Sequence, residues 1–115
     1  MAEVKIAVLI RESPGRSNRV SELLRMSVGL TIVDQNQVSL FFLENGVECL
    51  THGNPEESGS QTIEKHLQTL GILRCPFYLV QNEEPSERLE TPYEFQRITD
   101  SEFARRLIES DRTIG

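Results

Sequence analysis

Apolar and polar positions along this chain change period several times, and each change marks an element. Val4-Lys-Ile-Ala-Val-Leu-Ile10 is a mostly apolar run, the pattern of a strand buried on both faces and hence of the interior of a parallel sheet. Arg11 to Ser17 interrupts it with turn chemistry, Pro14 fixing φ and Gly15 free to take a positive φ. Ser17 or Asn18 is placed to cap a helix whose apolar face is Val20, Leu23, Leu24 and Leu30 with small Ser27, fraying from Gly29 to Asp34. Val38-Ser-Leu-Phe-Phe-Leu43, bounded by Gln35-Asn36-Gln37 and Glu44-Asn45-Gly46, reads as a second buried strand.

Val47 to His52 suits one helical turn, and Gly53 to Gly59 is a loop by composition. Ser60 to Leu70 carries Ile63, Leu67 and Leu70 on one helical face, with Gly71 at the expected left-handed stop. Pro76-Phe-Tyr-Leu-Val80 is a third strand with Pro76, which lacks a backbone donor, as its first residue. Phe95 to Ile98 is a short fourth strand. Thr99-Asp-Ser-Glu102 is a capping box. The helix it opens takes Phe103, Leu107 and Ile108 as its apolar face, and Ser110 to Gly115 holds a last short strand. This order predicts an α/β fold, a small three-layer sandwich with a mainly parallel sheet flanked by helices.

Composition narrows the function classes. A chain of 115 residues is expected to be a single domain, 1–115, burying roughly two-thirds of its unfolded surface. Its net charge of -6, with scattered arginines, argues against a nucleic-acid or anionic-membrane surface. No apolar run approaches the roughly 20 residues that span a bilayer, and the start enters a strand directly, so a cytoplasmic location is expected. Most of the excess acid lies in Glu83, Glu84, Glu87, Glu90 and Glu94, opposed only by Arg88. That 83–94 segment is a solvated loop or a docking surface for a partner. Phe41, Phe42, Phe77, Tyr78, Tyr93 and Phe95 suggest more apolar surface than so small a sandwich can cover, and hence a homo-oligomer.

The chemistry-bearing residues are few. The chain has no Walker loop, no Gly-x-Gly-x-x-Gly after a strand and no Gly-x-Ser-x-Gly elbow, and no cofactor is expected. Cys49-Leu-Thr-His52 has metal-ligand spacing, but His66 and Cys75 would have to complete the set from separate elements, so no metal is expected either. Two cysteines do not make a disulfide framework. Cys75, with Arg74 beside it, is either a nucleophilic thiol or a small buried hydrophobe, and the same choice holds for Cys49. Glu44, Asn45 and Gly46 follow the carboxyl end of a strand, where open α/β sheets bind ligands. They are a ligand or partner loop, or an ordinary turn.

Ser27-Val-Gly-Leu-Thr31 followed by Val38-Ser-Leu-Phe-Phe-Leu-Glu-Asn-Gly-Val47 resembles the DsrE/DsrF-like family of small sulfur-relay proteins, which includes TusC and TusD subunits. Asp100 to Arg112 is similar to that family's closing helix before a last strand. The resemblance implies a cytoplasmic sandwich of about five strands assembled as a trimer or hexamer. In some members it implies persulfide-based sulfur transfer between donor and acceptor proteins, and other members are non-catalytic subunits. Sulfur-carrying members place a Cys at or just beyond the carboxyl end of the third strand, where this chain has Leu79-Val80-Gln81-Asn82. Cys75, at the other end of that strand, is the candidate acceptor.

Overall fold

The computed structural model describes residues 3–12, 19–50, 60–81 and 93–115, with only the helical backbone at 60–62. The elements are β1 (Val4–Ile10), α1 (Arg19–Ile32), β2 (Asn36–Phe42), a 3-10 helix (Glu44–Leu50), α2 (Ser60–Ile72), β3 (Phe77–Val80), β4 (Gln96–Ile98), α3 (Asp100–Glu109) and β5 (Arg112–Ile114). The five strands form one sheet in the order β4-β3-β2-β1-β5. Every pairing is parallel, with Val4 opposite Asn36, Leu40 opposite Phe77, Tyr78 opposite Gln96 and Ile6 opposite Arg112. The predicted α/β three-layer sandwich is therefore the observed one, and its sheet is parallel throughout.

The alternation of side chains divides the core in two. Ile6, Val8, Ile10, Val38, Leu40, Phe42, Phe77 and Leu79 point to one face and pack with Val20 and Leu24 of α1 and Ile63, Leu67 and Leu70 of α2. Ala7, Leu9, Phe41, Val80 and Ile98 point to the other, where Phe103 and Leu107 of α3 pack. The topology explains the split. From β1 to β3 the chain steps in one direction across the sheet, whereas β4 to β5 returns to the far edge, and right-handed crossovers in opposite directions place their helices on opposite faces.

Several boundaries differ from the sequence reading. β2 begins at Asn36, two residues early, because pairing with Val4 and Lys5 extends it beyond its apolar run. Pro76 precedes β3 rather than opening it, and its carbonyl accepts from Leu40 N at 3.0 Å. Gly71 is not a helix stop. α2 continues to Ile72, and the left-handed residue is Arg74, with φ 62°. Arg74 N bonds to Gly71 O (3.1 Å) and Cys75 N to Leu70 O (3.0 Å), the paired bonds of a Schellman motif in which Arg74 holds the usual glycine position.

Ile108 is 85% exposed, since it lies about 100° around the helix from Leu107, off the face that meets the sheet. Thr99 caps α3, its Oγ1 accepting from Glu102 N at 3.3 Å. The Glu102 carboxylate does not close the box. It binds Arg105 (2.6 Å) and Arg106 (3.0 Å) instead. Of the aromatics from which an oligomer is expected, Phe41, Phe42 and Phe77 are buried inside the chain and Tyr78, Tyr93 and Phe95 are half-buried. The predicted Pro14-Gly15 turn, the Ser17 or Asn18 cap, His52, the loop 53–59 and the acidic residues up to Glu90 lie outside the described residues.

Candidate functional site

Both thiols sit on the two-helix face and both are buried. Cys75 is the residue after the left-handed Arg74, and the Schellman turn drives its side chain inward beside Leu70. Its Sγ donates to Val38 O at 3.2 Å, and burial pushes the thiol up to about 12 despite a hydrogen bond from the Leu40 backbone. Cys49, in the 3-10 helix, donates to Glu12 O at 3.6 Å. Burial first, and the Glu48 carboxylate second, push it up to about 12 as well. A thiol held so high is protonated at neutral pH, and the protonated form is neither nucleophile nor metal ligand.

Glu44, Asn45 and Gly46 form the first turn of the 3-10 helix rather than a loop. Glu44 and Asn45 are exposed, and Glu44 takes a left-handed backbone, φ 55°. Gly46 is buried beneath the end of β1. A Cβ there would stand 1.8 Å from Ile10 O, so only glycine fits. The two cysteines and this turn do not converge: Cys49 and Gly46 lie at the carboxyl ends of the strands, Cys75 at the amino ends. His66, on α2, has its pKa lowered by burial and then by nearby Arg25. Among the described residues no group of metal-ligating side chains comes together.

Cys75 contributes to the lining of two clefts. One, of about 770 Å³, runs along α2 on the two-helix face, between Leu67, Gly71 and Ile72 and the Phe77–Tyr93 edge contact. The other, of about 500 Å³, opens on the α3 face over the amino ends of β1, β2 and β3. Lys5, Ser39, Arg74, Tyr78 and Arg106 line it. Arg106 is fixed there: its Nε binds Glu102, its Nη1 donates to Tyr78 Oη at 3.1 Å, and its guanidinium lies 4.4 Å from the Tyr78 ring centroid. Tyr78 in turn stacks on Phe41 at 5.1 Å. The sequence reading treated Tyr78 as a core or interface residue and passed over Arg106, whose spacing four residues after Glu102 was the available signal.

This architecture, a single parallel sheet in the order 4-3-2-1-5 with helices on both faces, is an α/β three-layer sandwich. The crystal structure of the ychN protein from E. coli shares it, with a TM-score of 0.81 at 19% identity, covering 96% of this chain and 97% of that one. No family pattern and no curated protein matches the sequence. At that identity the likeness concerns the fold. No helix among the described residues is long and apolar enough to cross a membrane.

Proposed function

We propose that this chain is a non-catalytic subunit or interaction protein of DsrE-like fold, cytoplasmic, and docking its partners through the acidic 83–94 segment. The state of the thiols carries this reading. With both pushed up to about 12, the thiolate fraction at pH 7 is on the order of 10⁻⁵, too small for sulfur acceptance at a useful rate. Assembly as a homo-oligomer is supported by a different set of side chains from the aromatics. Ile32 and Val33 at the end of α1 and Ile72 and Leu73 at the end of α2 are exposed, Ile72 by 82%. Sedimentation at micromolar concentration should give a species heavier than 13.1 kDa; a monomer would remove the assembly.

A sulfur relay through Cys75 is the second reading, favoured by the two clefts that this residue lines. In it the Cys75 thiolate attacks the outer sulfur of a donor persulfide, the donor leaves as its thiolate, and Cys75 holds the new S–S bond. Incubation with a persulfide donor separates the readings. The subunit reading expects no added sulfur mass on the intact chain. An added sulfur that Cys75→Ser abolishes and Cys49→Ser leaves intact would overturn it in favour of the relay.

A further inference from the structure

The α3-face cleft has a composition opposite to that of the molecule. The chain carries 12 Lys and Arg against 18 Asp and Glu, yet the charged residues lining this cleft are Lys5, Arg74 and Arg106 against Glu109 alone. Glu109 is exposed and also faces Arg105. Asp111, just past the end of α3, has its carboxylate held by the Lys5 backbone N–H at 2.9 Å.

One of the three cations is held in place by dedicated contacts. Arg106 has its Nε and Nη1 engaged by Glu102 and Tyr78, which fixes the plane of the guanidinium while Nη2 has no partner among the described residues. Arg74 occupies a left-handed position where glycine is preferred, a conformation that disfavours any side chain. The Schellman turn needs that backbone. It does not need an arginine, and the exposed Arg74 lines this cleft as well as the one along α2. Ser39 and Tyr78 add hydroxyls to the same wall.

We propose that this cleft, over the amino ends of β1, β2 and β3, binds a small tetrahedral dianion, a phosphate or sulfate group, between Lys5, Arg74 and Arg106. Its volume of about 500 Å³ falls in the range of small-molecule sites, roughly 300–1,000 Å³, and exceeds the needs of the anion alone. The ligand is accordingly a free anion or a small metabolite ending in one. Cys75 also lines this cleft, but the groups offered to the anion are Lys5, Arg74 and Arg106, and the proposal does not rest on the reading given under the proposed function.

The test is calorimetric titration of the 115-residue chain with inorganic phosphate, inorganic sulfate and phenyl phosphate, at ionic strength held constant with sodium chloride. Saturable binding at one site per chain is expected. Tighter binding of phenyl phosphate identifies a metabolite's terminal group, and equal binding a free anion; both uphold the site. Arg74→Gly should weaken binding by about tenfold, the loss of one charge-assisted hydrogen bond, while raising the melting temperature, so a folding defect cannot produce the result. Lys5→Gln should weaken it by about threefold, as befits a more mobile ammonium. Absence of saturable binding, or unchanged affinity in both variants, would overturn the proposal.

Discussion

The two faces of the sheet are built from the same strands yet serve different ends. On the α1 and α2 side, two helices cover eight buried strand residues, and both cysteines lie buried in that core. On the α3 side a single helix, none of whose residues is fully buried, packs on the sheet, and Lys5, Gln37 and Ser39 near the amino ends line an open cleft beside it, with Tyr78 under Arg106. Where a second helix would have required apolar residues, the sequence supplies polar ones. The two-helix face holds most of the buried core, and the α3 face carries the cleft whose charged lining is mostly basic.

That contrast can be tested most strongly with alkali. Both thiols belong to the two-helix face, and each has its folded-state pKa raised from an ordinary 9.0 to about 12. A raised pKa means that the stabilisation is fully present below the unfolded value and lost as pH rises toward the folded one. Stability should therefore hold to about pH 9 and then fall by roughly 2–3 kcal/mol per pH unit while both unfolded thiols ionise. Urea melts from pH 8 to 11 check this, and a chain with Cys49→Ala and Cys75→Ala should show a much shallower decline.

Truncating one leucine on each helix layer sharpens the comparison. Leu24→Ala removes a side chain with 0% exposure and should cost about 3–5 kcal/mol by urea denaturation. Leu107→Ala, half-buried on α3, should cost about 1–2 kcal/mol, because water already reaches part of it. Equal losses would mean that the two faces are equally closed. Smaller effects are expected at the helix ends. Arg74→Gly should stabilise by about 1 kcal/mol through relief of the left-handed backbone. Thr99→Ala should destabilise by about 1 kcal/mol through loss of the N-cap bond to Glu102 N. Thermal melts of the two variants would show shifts of opposite sign.

Most of the fold was legible in the sequence. The apolar run Val4 to Ile10 is β1 residue for residue, the Thr99 cap opens α3 where the capping pattern stood, and the order of elements predicted the parallel sheet. These features rest on local rules: continuous apolar runs need burial on both faces, and free backbone donors at a helix start need an acceptor. Less of the site could be read. Cys75 stood between Arg74 and Pro76 and was weighed as a reactive thiol on its charged neighbour. The structure turns it toward Val38 O, from a strand far away in sequence, and buries it at the floor of the clefts. Gly71 looked like the helix stop because glycine is the cheapest left-handed residue, yet α2 runs on past it.

What the sequence determined by itself is thus the set of elements, their order and the two apolar faces of the strands, since each depends on residues within a few positions of one another. Tertiary structure decided three things: which residue takes the left-handed turn after α2, which side of the sheet each helix covers, and which strand positions stay open to solvent. Each depends on the direction of a crossover or on packing across the sheet. The cleft that gathers Lys5, Arg74 and Arg106 comes from that level, because residues 32 to 101 positions apart in sequence line one cavity only once the strands have paired and α3 has packed on the sheet.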